Sequence, residues 1–238
     1  MTIHTHDLLA FGLPSPQQAV LMVWRSALTL TPTTATACHD AYRMHQLVET
    51  GLGTVTTTGD RNGRTLYAAA RTPATTRKHP SQTLTAGQPH TLLVQTPSPP
   101  DWTTHHNTGL ITHATTQEVH QTWTTGDTVE IRTIASPLVT KNNDDRKRSR
   151  VPLKHPAQCG TWLQERLTKA GCQLAPHDIS IGAPETTHQR GQTLTLRQFH
   201  ATATIHDPHA FTHLLSTGLG HNRAWGAGLV LARKTAKQ

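Results

Sequence analysis

An α+β fold is the expectation, and three observations carry it. Apolar runs of strand length, bounded by turn residues, recur at 128–135, 173–181, 194–205 and from Leu229 onward. Between them lie two helical stretches, 156–170 and 209–217, each opened by a proline or an aspartate-proline pair. The resulting order of strand, helix, strand, strand, helix, strand is that of a ferredoxin-like (RRM-like) domain. A less regular version occupies the first half, and 238 residues accommodate two units of about 100 residues each. The expected division is an N-terminal extension over 1–19, a first domain over 20–125 and a second over 126–238.

Residues 1–18 hold Gly12, Pro14 and Pro16 with little periodicity and read as an appendage. The first strand is placed at 20–30, and the Thr- and Pro-rich stretch 31–38 is read as a loop. A helix follows from Asp40, with Met44, Leu47 and Val48 as its apolar stripe and Gly51 as a C′ residue. Tyr42 and His45 are three residues apart, so a helix projects the phenol and the imidazole from one face. Taken alone, His45 reads first as a surface histidine of a His-rich chain; one of only 2 tyrosines at this offset weakens that reading. A turn at 60–63 leads to a strand at 64–70, and another strand is expected at 91–96. The stretch 102–118, rich in Thr and His, gives no clear period.

Gly126-Asp127 marks a new turn before the strand 128–135, which residues 137–141 are expected to continue. Lys141, Arg146, Lys147, Arg148, Arg150 and Lys154 then crowd one loop. In the helix 156–170, Trp162, Leu163 and Leu167 have core spacing and Gly171 ends the element. A hairpin tip is placed at 186–192, with Arg190 there and Arg197 on the next strand both read as facing a ligand. After Asp207-Pro208 and the last helix comes Gly218-Leu219-Gly220-His221-Asn222-Arg223-Ala224-Trp225-Gly226-Ala227-Gly228. On its own this stretch reads first as a tight turn beside a strand; glycines also let a backbone approach a bulky partner, so the N–H groups around Gly218, Gly220, His221 and Asn222, with the charge of Arg223, make a candidate phosphate cradle.

Composition narrows the partner. Lys plus Arg number 22 against 14 Asp plus Glu, a net charge of +8, which favours a polyanion such as nucleic acid. The 18 histidines form no H-E-x-x-H motif, and the 3 cysteines are scattered without a C-x-x-C pair, so neither a metal site nor a disulfide framework is expected. No stretch approaches the ~18 apolar residues of a membrane span. Reduced thiols and the absence of a secretory pattern give a cytoplasmic expectation.

The glycine-rich loop with Arg223 at its centre, the Tyr42-x-x-His45 pair and the segment Lys147-Arg148-Ser149-Arg150-Val151-Pro152-Leu153 together resemble the CRISPR-associated repeat-processing endoribonucleases, specifically the CasE family of type I-E Cascade complexes. The resemblance spans nearly the whole chain after Val20 and makes Met22 an alternative start to Met1. It departs where Leu52-Gly53 replaces a usual Phe-Pro pair and where Ser136 replaces an asparagine. It implies two ferredoxin-like domains side by side. It further implies metal-independent cleavage of CRISPR repeat stem-loops, with no cofactor, by Tyr42 and His45. Lys141, Lys147, Arg148, Arg150, Arg190, Arg197 and the loop residues Gly218, Gly220, His221, Asn222 and Arg223 would hold the RNA, and other Cascade subunits are the implied partners. The alternative is a non-catalytic RNA-holding subunit of the same assembly; a histidine-dependent metallohydrolase is a further one.

Overall fold

The order of elements follows from where apolar alternation is interrupted. In the computed structural model, residues 18–52, 64–71, 84–85, 89–142, 148–189 and 191–235 are described. The first half runs β1 (Gln18–Leu30), α1 (Pro32–Ala37), α2 (Ala41–Gly51), β2 (Leu66–Arg71), β3 (Leu84–Thr85), β4 (Pro89–Thr96), α3 (Thr103–Asn107) and β5 (Ile111–Thr124). The second runs β6 (Thr128–Ala135), β7 (Leu138–Asn142), β8 (Arg148–Pro152), α4 (Pro156–Lys169), β9 (Cys172–Gln173), β10 (Ile179–Ile181), β11 (Glu185–Gln189), β12 (Gln192–Ile205), α5 (Pro208–Thr217) and β13 (Val230–Lys234).

The first sheet has the order β2-β4-β1-β5, antiparallel at every junction. With β3 set aside, this is the 4-1-3-2 order of a ferredoxin-like unit. The second sheet repeats it as β13-β6-β12, with β9, β10 and β11 dividing the far edge of β12 among them. Two tandem ferredoxin-like domains are therefore present. β3 joins the halves by pairing in parallel with β11.

Each half has a core, and one ribbon serves both. Leu28, Met44, Leu47, Val48, Tyr67, Leu92, Val94 and Trp102 fill the first. The second is built from β6, α4, β12 and α5, and it also takes Leu21 and Val23 from β1 and Trp123 from β5. The paired β1–β5 ribbon of the first half thus packs into the core of the second, with the Trp123 ring edge-on to Phe211 at 5.2 Å. Each such fully buried large side chain contributes roughly 1.5–3 kcal/mol.

Several expectations change. Residues 1–17 and the turn 60–63 lie outside the described residues, and β1 already begins at Gln18, so 18 and 19 belong to the sheet. The presumed loop 31–38 contains α1, because the Thr31 side chain caps it and Pro32 fits a first helical turn. Asp40 is the N-cap of α2, its Oδ1 accepting from the Tyr42 and Arg43 amides. Gly51 is the last helical residue instead of a left-handed C′ residue. A Cβ there would sit 2.0 Å from the Trp102 ring, so close packing selects the glycine. The stretch 102–118 holds α3 and most of the 14-residue β5, mainly exposed, which is why no apolar period marked it.

In the second half, Pro137, with no N–H for the ladder, ends β6, and 138–141 turn away to pair with β8 as a separate hairpin. The strand placed at 173–181 is split by the turn at Pro176–Asp178 into β9 and β10. The tip placed at 186–192 is mostly paired strand.

Candidate active site

The N-cap at Asp40 sets the start of α2, and a clasp from the second half holds it there. Asp40 bridges in parallel to His188 of β11, and the Thr187 hydroxyl donates to the His39 carbonyl at 3.0 Å. With Met44, Leu47 and Val48 buried, Tyr42 and His45 lie partly exposed on the helix. The Gln46 amide donates to the Tyr42 hydroxyl at 3.3 Å.

The glycine-rich loop is delivered to that face from the far end of the chain. It follows α5 and closes on itself through the Leu219 amide and the Gly228 carbonyl, 2.8 Å, while the Gly228 amide donates to Ile134 of β6. Inside it, the Arg223–Trp225 turn carries Trp225 against α2. The indole meets the His45 ring edge-on at 4.9 Å and the Tyr42 ring at 6.1 Å. The Tyr67 hydroxyl of β2 donates to the Ala224 carbonyl at 2.6 Å and pins the turn to the first half. Gly226 has φ +78°, and a Cβ there would come 2.8 Å from Met44 Cε; only glycine combines that conformation with that contact.

Arg223 has a structural duty within the loop. A helix leaves its last four carbonyls unpaired, and α5 has these ones met from outside. The Gln95 amide takes Leu215, the Arg64 backbone N–H takes Ser216, and Arg223 Nη1 takes Thr217 and Gly218 at 3.1 and 3.3 Å. A cation there also suits the negative end of the helix. Burial, and next the neighbouring Arg64, hold the Arg223 guanidinium below its ordinary range, so two arginines share this corner. The Gly218 amide donates to Leu214 as part of the helix end, which removes it from the expected anion-facing set.

His221 lies among the cations of the second half, which favour its neutral form. Its pKa is lowered, first by burial and then by Arg150, Arg166 and Arg223. It sits between two adjoining hollows of about 420 and 370 Å³, both lined by His221 and Arg166; Arg150 lines the first, and Lys169, His213 and Arg223 the second. The Arg166 guanidinium lies over the Trp162 ring, 5.8 Å from its centroid. The result is a groove from the β7–β8 hairpin past α4 to the glycine-rich loop, in which Arg150, Arg166, Lys169 and Arg223 outnumber the one carboxylate, Glu165.

Arg197 is a correction. It is buried at 4% exposure, donating from Nη1 to Gly182 and from Nη2 to Lys154, so it braces β12 against the chain before α4 and does not lie on the surface. Lys147 and Arg190 lie outside the described residues, and of Arg148 only the backbone is described. Lys141 is exposed on β7, opposite Ser149. Arg64, Arg166, Lys169 and Trp225 lie at the candidate site although sequence reasoning missed them. For the α4 pair a signal existed, since Arg166 and Lys169 give the helix a basic last turn.

Comparison with known proteins accords with this fold. A search of curated proteins finds no match. Among solved structures, the chain is similar to the CRISPR endoribonuclease Cse3 bound to 19 nt RNA (23% identity, TM-score 0.71, 89% of this chain and 99% of that one). It is also similar to Thermus thermophilus Cse3 bound to an RNA representing a pre-cleavage complex (24%, 0.71, 89% and 99%) and to Cas6e from Escherichia coli K-12 (20%, 0.62, 88% and 98%). The family model described as CRISPR associated protein matches residues 23–234. The chain belongs to that family of CRISPR-associated proteins.

Proposed function

We propose that this protein is an endoribonuclease that binds the stem-loop of CRISPR repeat transcripts, cuts them to release guide RNAs and stays bound as a subunit of a cytoplasmic surveillance complex. The observation that carries this reading is the convergence of Tyr42 and His45 with the glycine-rich loop, next to a continuous basic groove. The naming of its structural neighbours as CRISPR endoribonucleases, and the likeness to a chain of a CRISPR RNA-guided surveillance complex (18% identity, TM-score 0.57), support it.

The chemistry follows from the side chains at the junction. A ribose 2′-oxygen bonds to the adjacent phosphorus as the bond to the 5′-oxygen breaks, leaving a 2′,3′-cyclic phosphate and a 5′-OH. The 2′-OH loses a proton to a base, the departing 5′-oxygen gains one from an acid, and the crowded phosphate needs positive charge beside it. An imidazole serves in either proton role near neutral pH, which suits His45. Tyr42 is the orienting hydroxyl. Arg223 and Arg64 supply charge at the phosphate, and Arg150, Arg166 and Lys169 meet the backbone of the A-form stem, which is recognised by shape. No metal or cofactor takes part.

The test is incubation of the purified chain with its own host's repeat transcript in EDTA. Cleavage to a 2′,3′-cyclic phosphate, blocked by a single 2′-deoxy substitution at the cut site, is the expected result. Binding without cleavage would favour a non-catalytic RNA-holding subunit, and cleavage lost to EDTA a metallohydrolase.

A further inference from the structure

The His45 ring has one nitrogen sealed away from the site, and what faces that nitrogen is a carboxylate. Nδ1 is excluded from solvent and makes no hydrogen bond, although the side chain as a whole is 25% exposed. One helical turn on, Glu49 Oε1 lies 3.8 Å from Nδ1, within ion-pair range and longer than a hydrogen bond. Glu49 is partly buried. After burial itself, its carboxylate is the first of the charges that push the Tyr67 phenol of β2 upward. Trp225 packs on the imidazole at 4.9 Å with the planes 64° apart, which limits the ring's swing about its side-chain torsions. Carboxylate and indole therefore come from different parts of the chain and constrain one ring.

We propose that Glu49 is a positioning residue for His45: it accepts the Nδ1 hydrogen and leaves Nε2 as the nitrogen that exchanges protons with the RNA, while Trp225 fixes the plane of the ring. The proposal rests on the reading of His45 as the proton-transfer group. Which imidazole nitrogen carries the hydrogen is set by the partner of the other. With Nδ1–H directed at Glu49, the neutral ring presents a lone pair at Nε2 and the protonated ring presents a hydrogen there, so one geometry serves uptake and release. A small torsional adjustment of the flexible glutamate closes 3.8 Å to a hydrogen bond, as catalytic contacts tighten when substrate is seated. The negative charge lies on the Nδ1 side of the ring and not on the Nε2 side.

The experiment is long-range ¹⁵N–¹H correlation NMR on ¹⁵N-histidine-labelled full chain, with the His45 signals assigned by loss in His45→Gln. The native protein is expected in the Nδ1–H form when neutral. Glu49→Gln, whose amide oxygen still accepts, should keep that form, and Glu49→Ala should move His45 to the Nε2–H form. In single-turnover cleavage at saturating RNA, Glu49→Ala should be slower by about tenfold, the size of one charge-assisted hydrogen bond, with unchanged affinity and partial recovery in Glu49→Gln. An unaltered tautomer in Glu49→Ala overturns the proposal, as does an unaltered rate. If instead His45→Ala cleaves at the native rate, the reading of the site fails, while the Glu49-dependent tautomer would still be seen.

Discussion

The two halves share a strand order and divide the labour differently. Their first crossover helices occupy equivalent places, yet α2 carries Tyr42 and His45, whereas α4 carries Arg166 and Lys169. The final connections differ more. In the first half the five-residue α3 passes to β5 through Thr108, Gly109 and Leu110, while in the second α5 passes to β13 through the long glycine-rich loop. That loop reaches back and places Trp225 on α2. In the proposed reading, one half supplies the reacting groups and the other supplies the grip and the tether that aligns them. A duplicated fold can thus make one site from two halves, provided a single connection is lengthened.

If the division holds, substitutions in the two halves separate rate from affinity. His45→Ala should lower single-turnover cleavage by at least about 100-fold, the scale of a lost proton-transfer group, while filter binding of the repeat RNA is unchanged. Trp225→Ala crosses the division from the other side. It should slow cleavage by about tenfold with little change in affinity, because it loosens alignment only. Arg150→Ala with Arg166→Ala should do the reverse, weakening affinity by roughly tenfold and reducing the slope of log affinity against log salt by about two, with the rate at saturation preserved.

Smaller effects mark residues that serve only packing. Gly51→Ala forces a methyl into the Trp102 ring and should cost about 1–3 kcal/mol in denaturant unfolding, without altering cleavage by the protein that remains folded. Arg197→Ala should lower the melting temperature and leave RNA affinity alone, since the side chain only braces carbonyls; a loss of affinity would return Arg197 to the binding surface.

Much of this was legible in the sequence. The second half kept its strand order because apolar alternation survives in β6 and β12, and the cap at Asp207 and the stripe on α2 fixed two helices. The pairing of Tyr42 with His45 followed from helical spacing, and the nearness of the loop to them from the family resemblance. What stayed hidden depends on contacts distant in sequence. β5 is mostly exposed and has no apolar stripe, so its partner β1 defines it. Arg197 resembled any basic strand residue until the carbonyls of Gly182 and Lys154 surrounded it. Arg64 and Arg223 lie 159 positions apart, and their shared corner arises only when the carbonyl end of α5 is capped.

The central claim, that α2 and the glycine-rich loop act on the same phosphodiester, is tested most directly by photo-cross-linking. A 2′-deoxy-blocked repeat RNA carrying 4-thiouridine beside the scissile phosphate, irradiated on the intact protein and mapped by mass spectrometry, should cross-link to peptides from both 41–51 and 218–228. Cross-links confined to one of these segments, or to neither, would contradict it.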